Sequence, residues 1–360
     1  MMSEHGAVRL ALPGKGGIEA STLAFLAECG LKVSRNNPRQ YLARIKSMPE
    51  FEVVFQRAVD IPLLVQSGDA DLGVTGFDIL AEHRGYGDEE VDADDLDNEL
   101  TLLQRELGFS KCRLVVAVPE AWIDVSNCAD LWHLSGYYQS HKGRGLRIAT
   151  KYPVLTSQFL RRHNITNCKI FSPHGALEAA PLTDTADLIV DLTETGTTLR
   201  ENHLKLLDDG VVLESQACLI ANTQLLQVDA QTLKVAETVL ELIDARNQAR
   251  NRANLIAAMR GESAEAVQRT CHRLNQRLKT VVAGVEFRVS TPEFASDIEP
   301  GWYTISGVAN VGDSAPELLE IIAVLRSAGA ANINVIPLMY RFARESASVR
   351  ALRERLKRKS

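Results

Sequence analysis

Residues 186–200 read Ala-Asp-Leu-Ile-Val-Asp-Leu-Thr-Glu-Thr-Gly-Thr-Thr-Leu-Arg, and few folds accommodate such a stretch. An apolar run with an acidic residue on either side of its core is the pattern of a buried parallel strand. It runs directly into Thr195-Gly196-Thr197-Thr198, a turn that starts a helix. Backbone N–H groups at a helix start point outward with the positive end of the dipole, glycine lets a ligand approach, and hydroxyls add donors without bulk. The turn is therefore predicted to seat a phosphate without a lysine. Asp191 and Glu194 precede it and can reach hydroxyls or a metal ion beside that phosphate, which suits a phosphorylated sugar. The P-loop spacing Gly-x-x-x-x-Gly-Lys-Ser/Thr of nucleotide-binding proteins is absent here. Without the neighbouring acids, the same turn would read as a helix cap.

The rest of the chain repeats this grammar. Val8–Pro13 is a short strand that breaks at Gly14-Lys15-Gly16-Gly17, and Ile18–Cys29 carries apolar residues at helical spacing. Open α/β sheets bind ligands at such strand ends, so Lys15 is predicted to project into a crevice. Arg39 and Arg57 also stand at or just past strand ends, and with Lys15 they would make a polyphosphate clamp. Further strands are predicted at 70–76, 100–109, 111–119, 146–150 and 165–171, with helices between. That alternation implies parallel sheets with helices on both faces, arranged as two lobes around a cleft. The acidic, glycine-containing run 84–99 reads as an exposed loop, and Val211–Ser215 and Ala217–Ala221 as strands returning to the first lobe.

At 360 residues, two or three domains are expected. The predicted division places one lobe at 1–108 with about 200–225, a second at 109–199, and a linking helix at 226–252. A third module spans 253–345 and a basic extension 346–360. The module reads β-α-β-β-α-β, the ferredoxin-like plan. It contains no nucleophile, base or metal constellation, so regulation or assembly is the expected role.

Composition narrows the function. A net charge of −6 argues against nucleic acid as the main partner. The basic end (Arg350, Arg353, Arg355, Lys357, Arg358, Lys359) reads as a solvated helix terminus. No apolar run approaches the roughly 18 residues that span a bilayer. The first residues carry no secretory signal and no plastid or mitochondrial leader, so a cytoplasmic location is expected. The six cysteines are scattered without a Cys-x-x-Cys pair, which indicates neither a zinc cage nor a disulfide framework.

Several motifs together resemble one family over nearly the whole chain. They are Leu10-Ala11-Leu12-Pro13-Gly14-Lys15-Gly16, Asn37-Pro38-Arg39-Gln40-Tyr41, Gln56-Arg57 with Asp60-Ile61, and Gly68-Asp69-Ala70-Asp71-Leu72-Gly73. Lys111-Cys112-Arg113-Leu114, Arg147-Ile148-Ala149-Thr150-Lys151-Tyr152-Pro153 and Asp191 to Leu199 complete the set, the last being the most specific. The chain resembles the long form of the ATP phosphoribosyltransferases, which open histidine biosynthesis.

The resemblance implies a catalytic core like the type II periplasmic binding proteins, followed by an ACT-like regulatory domain that binds histidine. It also implies a homohexamer, in equilibrium with a dimer. ATP and phosphoribosyl pyrophosphate (PRPP) would be the substrates and Mg²⁺ the cofactor, carried by PRPP or pyrophosphate with no side-chain ligand assigned. By motif position, Thr195, Gly196, Thr197 and Thr198 hold the 5-phosphate, Asp191 sits by the ribose hydroxyls with Glu194 ranked below it, and Lys15, Arg39 and Arg57 face the phosphates. Gly73, Thr75 and Glu178 are expected to line the nucleotide cleft. Two departures stand out: Gly17 follows Lys15-Gly16 where the family usually has Arg, and Asp184 stands where its signature usually has Gly. A non-catalytic ligand-sensing paralogue is the competing reading, favoured only by Gly17.

Overall fold

The computed structural model describes residues 7–35, 37, 40–85, 99–173, 176–279, 286–289, 301–312 and 315–359. The run 86–98, expected as a loop, therefore lies outside the described residues. The chain forms two compact units, one of Met1–Leu240 with Arg350–Ser360 and one of Glu241–Val349.

The first unit contains two sheets. In the seven-stranded sheet, β1 (Val8–Pro13) lies between β4 (Met48–Gln56) and β5 (Leu72–Gly76), parallel to both. The small strands β2 (Val33–Ser34) and β3 (Leu42–Ile45) extend one edge, while β12 (Ala217–Asn222) and β6 (Leu100–Gln104) extend the other. Helices α1 (Gly17–Glu28), α2 (Ile61–Gln66) and α3 (Phe77–Arg84) follow β1, β4 and β5. The second sheet runs β11 (Leu204–Ser215), β7 (Cys112–Pro119), β10 (Leu188–Thr193), β8 (Leu146–Thr150) and β9 (Cys168–Phe171). Around it stand α4 (Cys128–His141), α5 (Pro153–Arg162) and the short α6 (Thr197–Glu201).

Both sheets are mixed, which corrects the expectation of parallel sheets. β7 runs antiparallel to β10 and to β11, and β12 runs antiparallel to β5 and β6. The cause is the double crossing of the chain. A strand that arrives from the other sheet enters at the end where its neighbours exit, so it must run against them. A second correction concerns 211–215: these residues belong to β11 and pair with β7 in the second sheet, and only Ala217–Asn222 return to the first. Gln216 is the crossing point. Its backbone carbonyl accepts from Phe77 (2.9 Å), and Leu107 and Phe109 pair with Ala217 beside it (3.0 and 3.1 Å).

The chain leaves this unit along α8 (Ala230–Ala249), which follows α7 (Thr223–Val228). The second unit is a four-stranded antiparallel sheet in the order β14 (Arg288–Val289), β15 (Trp302–Asn310), β13 (Arg252–Arg260), β16 (Ala330–Pro337). With α9 (Ala264–Leu278) and α10 (Ala315–Ser327) it follows the β-α-β-β-α-β plan. Burial alternates along β13, and α9 buries Val267, Cys271, Leu274 and Leu278, so helix stripe and sheet face share one core.

The basic end is more than a solvated terminus. Helix α11 (Ala347–Lys359) buries Leu352, and Arg355 is only 7% exposed with its Nη1 donating to the Leu102 carbonyl at 2.9 Å. Arg353 forks onto Glu237 of α8 (2.6 and 2.7 Å). An amphipathic stripe, rather than charge alone, decides where these cations lie.

Candidate active site

Strand β10 is buried from Leu188 to Val190 and delivers Asp191, Thr193 and the turn to its carboxyl end. Gly196 adopts φ +76°, a left-handed conformation that suits glycine, and its N–H donates to Thr193 Oγ1 at 2.8 Å. No side chain caps α6 at this turn, and the Thr195, Thr197 and Thr198 side chains are exposed. The Thr195 and Thr197 hydroxyls lie 2.9 Å apart, with Arg200 Nη2 donating to Thr197 Oγ1 at 3.3 Å. Helix α6 has only five residues, so the exposed hydroxyls are the principal donors this turn presents.

These groups border a cavity of about 230 Å³ together with Glu178, Asp191 and Glu194. Asp191 accepts the Leu192 N–H at 2.8 Å, yet its carboxyl is pushed up to about 6. Burial is the main cause, and the neighbouring Glu178 charge adds to it against Leu192 and Lys151. Glu194, ranked below Asp191 from the sequence, borders this cavity and two larger ones of about 630 and 500 Å³.

The 630 Å³ cavity is the cleft between the two sheets. It brings Gly17 and Ser21 of α1, Ala58 beside Arg57, and Gly76 at the end of β5 against Thr193 and Glu194. A Cβ at Gly17 would meet nothing within 4 Å, so the departure from the family pattern removes a cation from open space without altering the turn. Lys15 is exposed in the same glycine turn. Arg57 is exposed as well, and its guanidinium is held by Asp60 through Nε (2.7 Å) and Nη2 (3.2 Å), which raises its pKa. Arg39 lies outside the described residues. The 500 Å³ cavity adds Arg105, Lys111 and Arg113 from the segment that crosses between the sheets. Lys111 and Arg113 stand just before and within β7 and Arg105 directly follows β6, so only the crossing of the chain brings the three to one cavity.

Two residues expected in the nucleotide cleft are placed elsewhere. Gly73 is buried under α2: a Cβ there would lie 2.6 Å from Ile61 Cγ2 and 2.9 Å from Val65 Cγ2. Thr75 is fully buried and donates to the Ala58 carbonyl at 2.8 Å, which secures the turn beside Arg57. A central strand covered on both faces cannot show these side chains to the cleft. Gly73→Ala is thus expected to lower stability by about 1–3 kcal/mol through overpacking, with substrate KM values unchanged. Thermal unfolding beside steady-state kinetics checks this, and a raised KM at unchanged stability would contradict it.

The two lobes are joined beside the cleft by a buried polar seam, missed in the sequence because its members are far apart. Asp78 Oδ2 accepts from the Tyr152 hydroxyl and Oδ1 from Ser215 Oγ, both at 2.6 Å, while the Asp78 N–H donates to Ser215 Oγ at 2.9 Å. Glu82 accepts the Val154 and Leu155 N–H groups (2.8 and 2.9 Å), capping α5 from the other lobe. Burial raises the pKa values of Glu82 and Tyr152. Gly76 is required here, since a Cβ would stand 2.4 Å from Asp78 Oδ1. The Asp184 departure is also explained. This residue has φ +53°, where Gly is the easy choice, and its carboxylate accepts from Arg147 at 2.5 Å.

Residues 57–245 match the family pattern described as ATP phosphoribosyltransferase. The chain is 36% identical over 343 residues to the chloroplastic ATP phosphoribosyltransferase 2 of Arabidopsis thaliana, covering 94% of this chain and 78% of that one. It is 43% identical over 216 residues to an ATP phosphoribosyltransferase of Brucella melitensis biotype 2, covering 59% and 89%. Among solved structures, an ATP phosphoribosyl transferase (HisG:HisZ) complex from Thermotoga maritima is 27% identical with a TM-score of 0.46, covering 66% of this chain and 98% of that one.

Proposed function

The chain belongs to the ATP phosphoribosyltransferase family, and we propose the roles its residues take in that reaction, the first step of histidine biosynthesis. The enzyme condenses ATP with PRPP to give phosphoribosyl-ATP and pyrophosphate. The observation that carries the residue assignment is the 230 Å³ cavity, where threonine hydroxyls and carboxylates meet at the end of β10. Thr195, Gly196, Thr197 and Thr198 hold the 5-phosphate of PRPP, and Asp191 accepts from the ribose hydroxyls with Glu178 and Glu194 beside it. Adenine N1 attacks the anomeric carbon as pyrophosphate departs, through a transition state with positive charge on the ribose ring. Asp191, once ionised, stabilises that charge. Lys15, Arg39 and Arg57 bind the phosphates and align the two polyanions.

The carboxylates of this cavity are the hard oxygen donors that Mg²⁺ takes, and a cation would stabilise the Asp191 carboxylate, which burial first and the Glu178 charge second disfavour. Asp191 and Glu178 are the side chains that would hold an ion brought in by PRPP. When bound, Mg²⁺ supplies positive charge to the departing pyrophosphate.

The second unit is assigned histidine binding and feedback inhibition, and the assembly a hexamer. Its β-α-β-β-α-β plan, with the candidate catalytic groups all in the first unit, supports that division. Among the described residues no helix is long and apolar enough to cross a membrane; we assign the protein a cytoplasmic location. Protein mixed with ATP, PRPP and Mg²⁺ is expected to release pyrophosphate, and less of it as histidine is added. No release would defeat the catalytic reading; release unaffected by histidine would defeat only the regulatory one. Amide-exchange protection in 252–337 would locate histidine binding and leaves the last residues of α11 in place in the first unit.

A further inference from the structure

A second cluster of ligating side chains lies outside the cleft cavities, on the second sheet. Strand β11 slips in register against β7 between Leu206 and Val211, and this bulge carries Asp209. Gly210 permits the bulge, since a Cβ would come 2.8 Å from Leu207 Cβ and 3.3 Å from the Val116 carbonyl. The bulge is stitched to the start of α4: Asp208 N–H donates to the Ser126 carbonyl (2.9 Å), and Asp209 Oδ1 accepts the Cys128 N–H (2.7 Å). His163, the residue after α5, packs its ring against Phe159 with centroids 4.5 Å apart. The three elements meet so that a Cys128 sulfur, a His163 ring nitrogen and an Asp209 carboxylate oxygen all lie within 4.8 Å of one another.

We propose that Cys128, His163 and Asp209 form a binding site for a zinc-type divalent cation, separate from the catalytic cleft. Sulfur, imidazole and carboxylate together select a borderline-soft ion, with water as fourth ligand, whereas Mg²⁺ and Ca²⁺ take oxygen. Zinc holds sulfur at about 2.3 Å and nitrogen at about 2.0–2.1 Å, so closing the site takes side-chain movements of about an ångström. The metal–sulfur bond forms as the Cys128 thiol gives up its proton to solvent. A bound ion would pin the bulge to the ends of two helices and stiffen the free edge of the sheet.

The test is titration of the metal-stripped, full-length protein with Co²⁺. The proposal expects a thiolate-to-cobalt charge-transfer band that saturates at one equivalent, persists in millimolar Mg²⁺ and is abolished by stoichiometric Zn²⁺. Cys128→Ser should lose the band, and His163→Ala should weaken Co²⁺ binding at least tenfold, both with pyrophosphate release retained. No band, or an equal band in Cys128→Ser, overturns the proposal. If Cys128→Ser fails to fold, His163→Ala decides: unchanged Co²⁺ affinity overturns it.

Discussion

Asp191→Asn is expected to lose activity and gain stability at the same time. Removing a charge-assisted hydrogen bond to the ribose costs about 1.5–3 kcal/mol, or roughly 10- to 150-fold in kcat/KM. The stability effect follows from linkage. The folded-state carboxyl titrates at about 6, above its ordinary 3.8, so the folded protein holds the proton more tightly than the unfolded chain. Wild-type stability therefore falls as pH rises from about 4 to about 6, and the buried charge remains unfavourable above that. Asparagine carries no such charge. Above pH 6 the variant should be more stable, on the order of 3 kcal/mol for a shift of about two units, and the difference should vanish near pH 4. Denaturant melts at pH 4 and pH 8 check the sign; a variant less stable at pH 8 would refute the burial of this charge. The wild-type rise in kcat/KM through about pH 6 should also disappear in the variant.

Arg57→Ala is expected to reduce turnover by about 10²–10³-fold, the loss of one preorganised contact to developing negative charge, while the protein folds normally. The side chain is 71% exposed, and exposed ion pairs contribute little to stability. The Asp60 fork fixes the orientation of its guanidinium, and Arg57 is next in the chain to Ala58, which lines the 630 Å³ cavity. Asp60→Ala should give a smaller loss, since the charge remains but its orientation is freed. Parallel kinetics and thermal unfolding of both variants check this. An unchanged rate in Arg57→Ala would remove the residue from the site.

The local grammar of this chain was readable because it depends on neighbours in sequence. Apolar runs of strand length, glycine at turns and a hydroxyl-rich turn after an acidic strand each act within a few residues, and β1, β10, α9 and the β-α-β-β-α-β plan emerged where expected. Strand direction was not readable. β7, β11 and β12 carry the same apolar runs whether they lie parallel or antiparallel, and only the path of the chain between the sheets settles which. Gly73 and Thr75 illustrate the same limit, because a small residue in a buried strand can admit either a ligand or a helix. Here the Ile61 and Val65 methyls occupy the space.

By itself, the sequence determined the hydroxyl-rich turn, the acid before it, the glycine turn with Lys15, and the family to which they belong. The tertiary structure decided how those pieces share an environment. It raised the Asp191 carboxyl by burying it near Glu178, and it set Glu194 at the border of three cavities. It joined the lobes through Asp78, Tyr152 and Ser215, and it gathered Cys128, His163 and Asp209 at the edge of a sheet. The physical reason is range. Propensity and turn chemistry act between residues close in sequence, whereas desolvation, charge coupling and ligand geometry depend on distances in space that the sheet order alone creates.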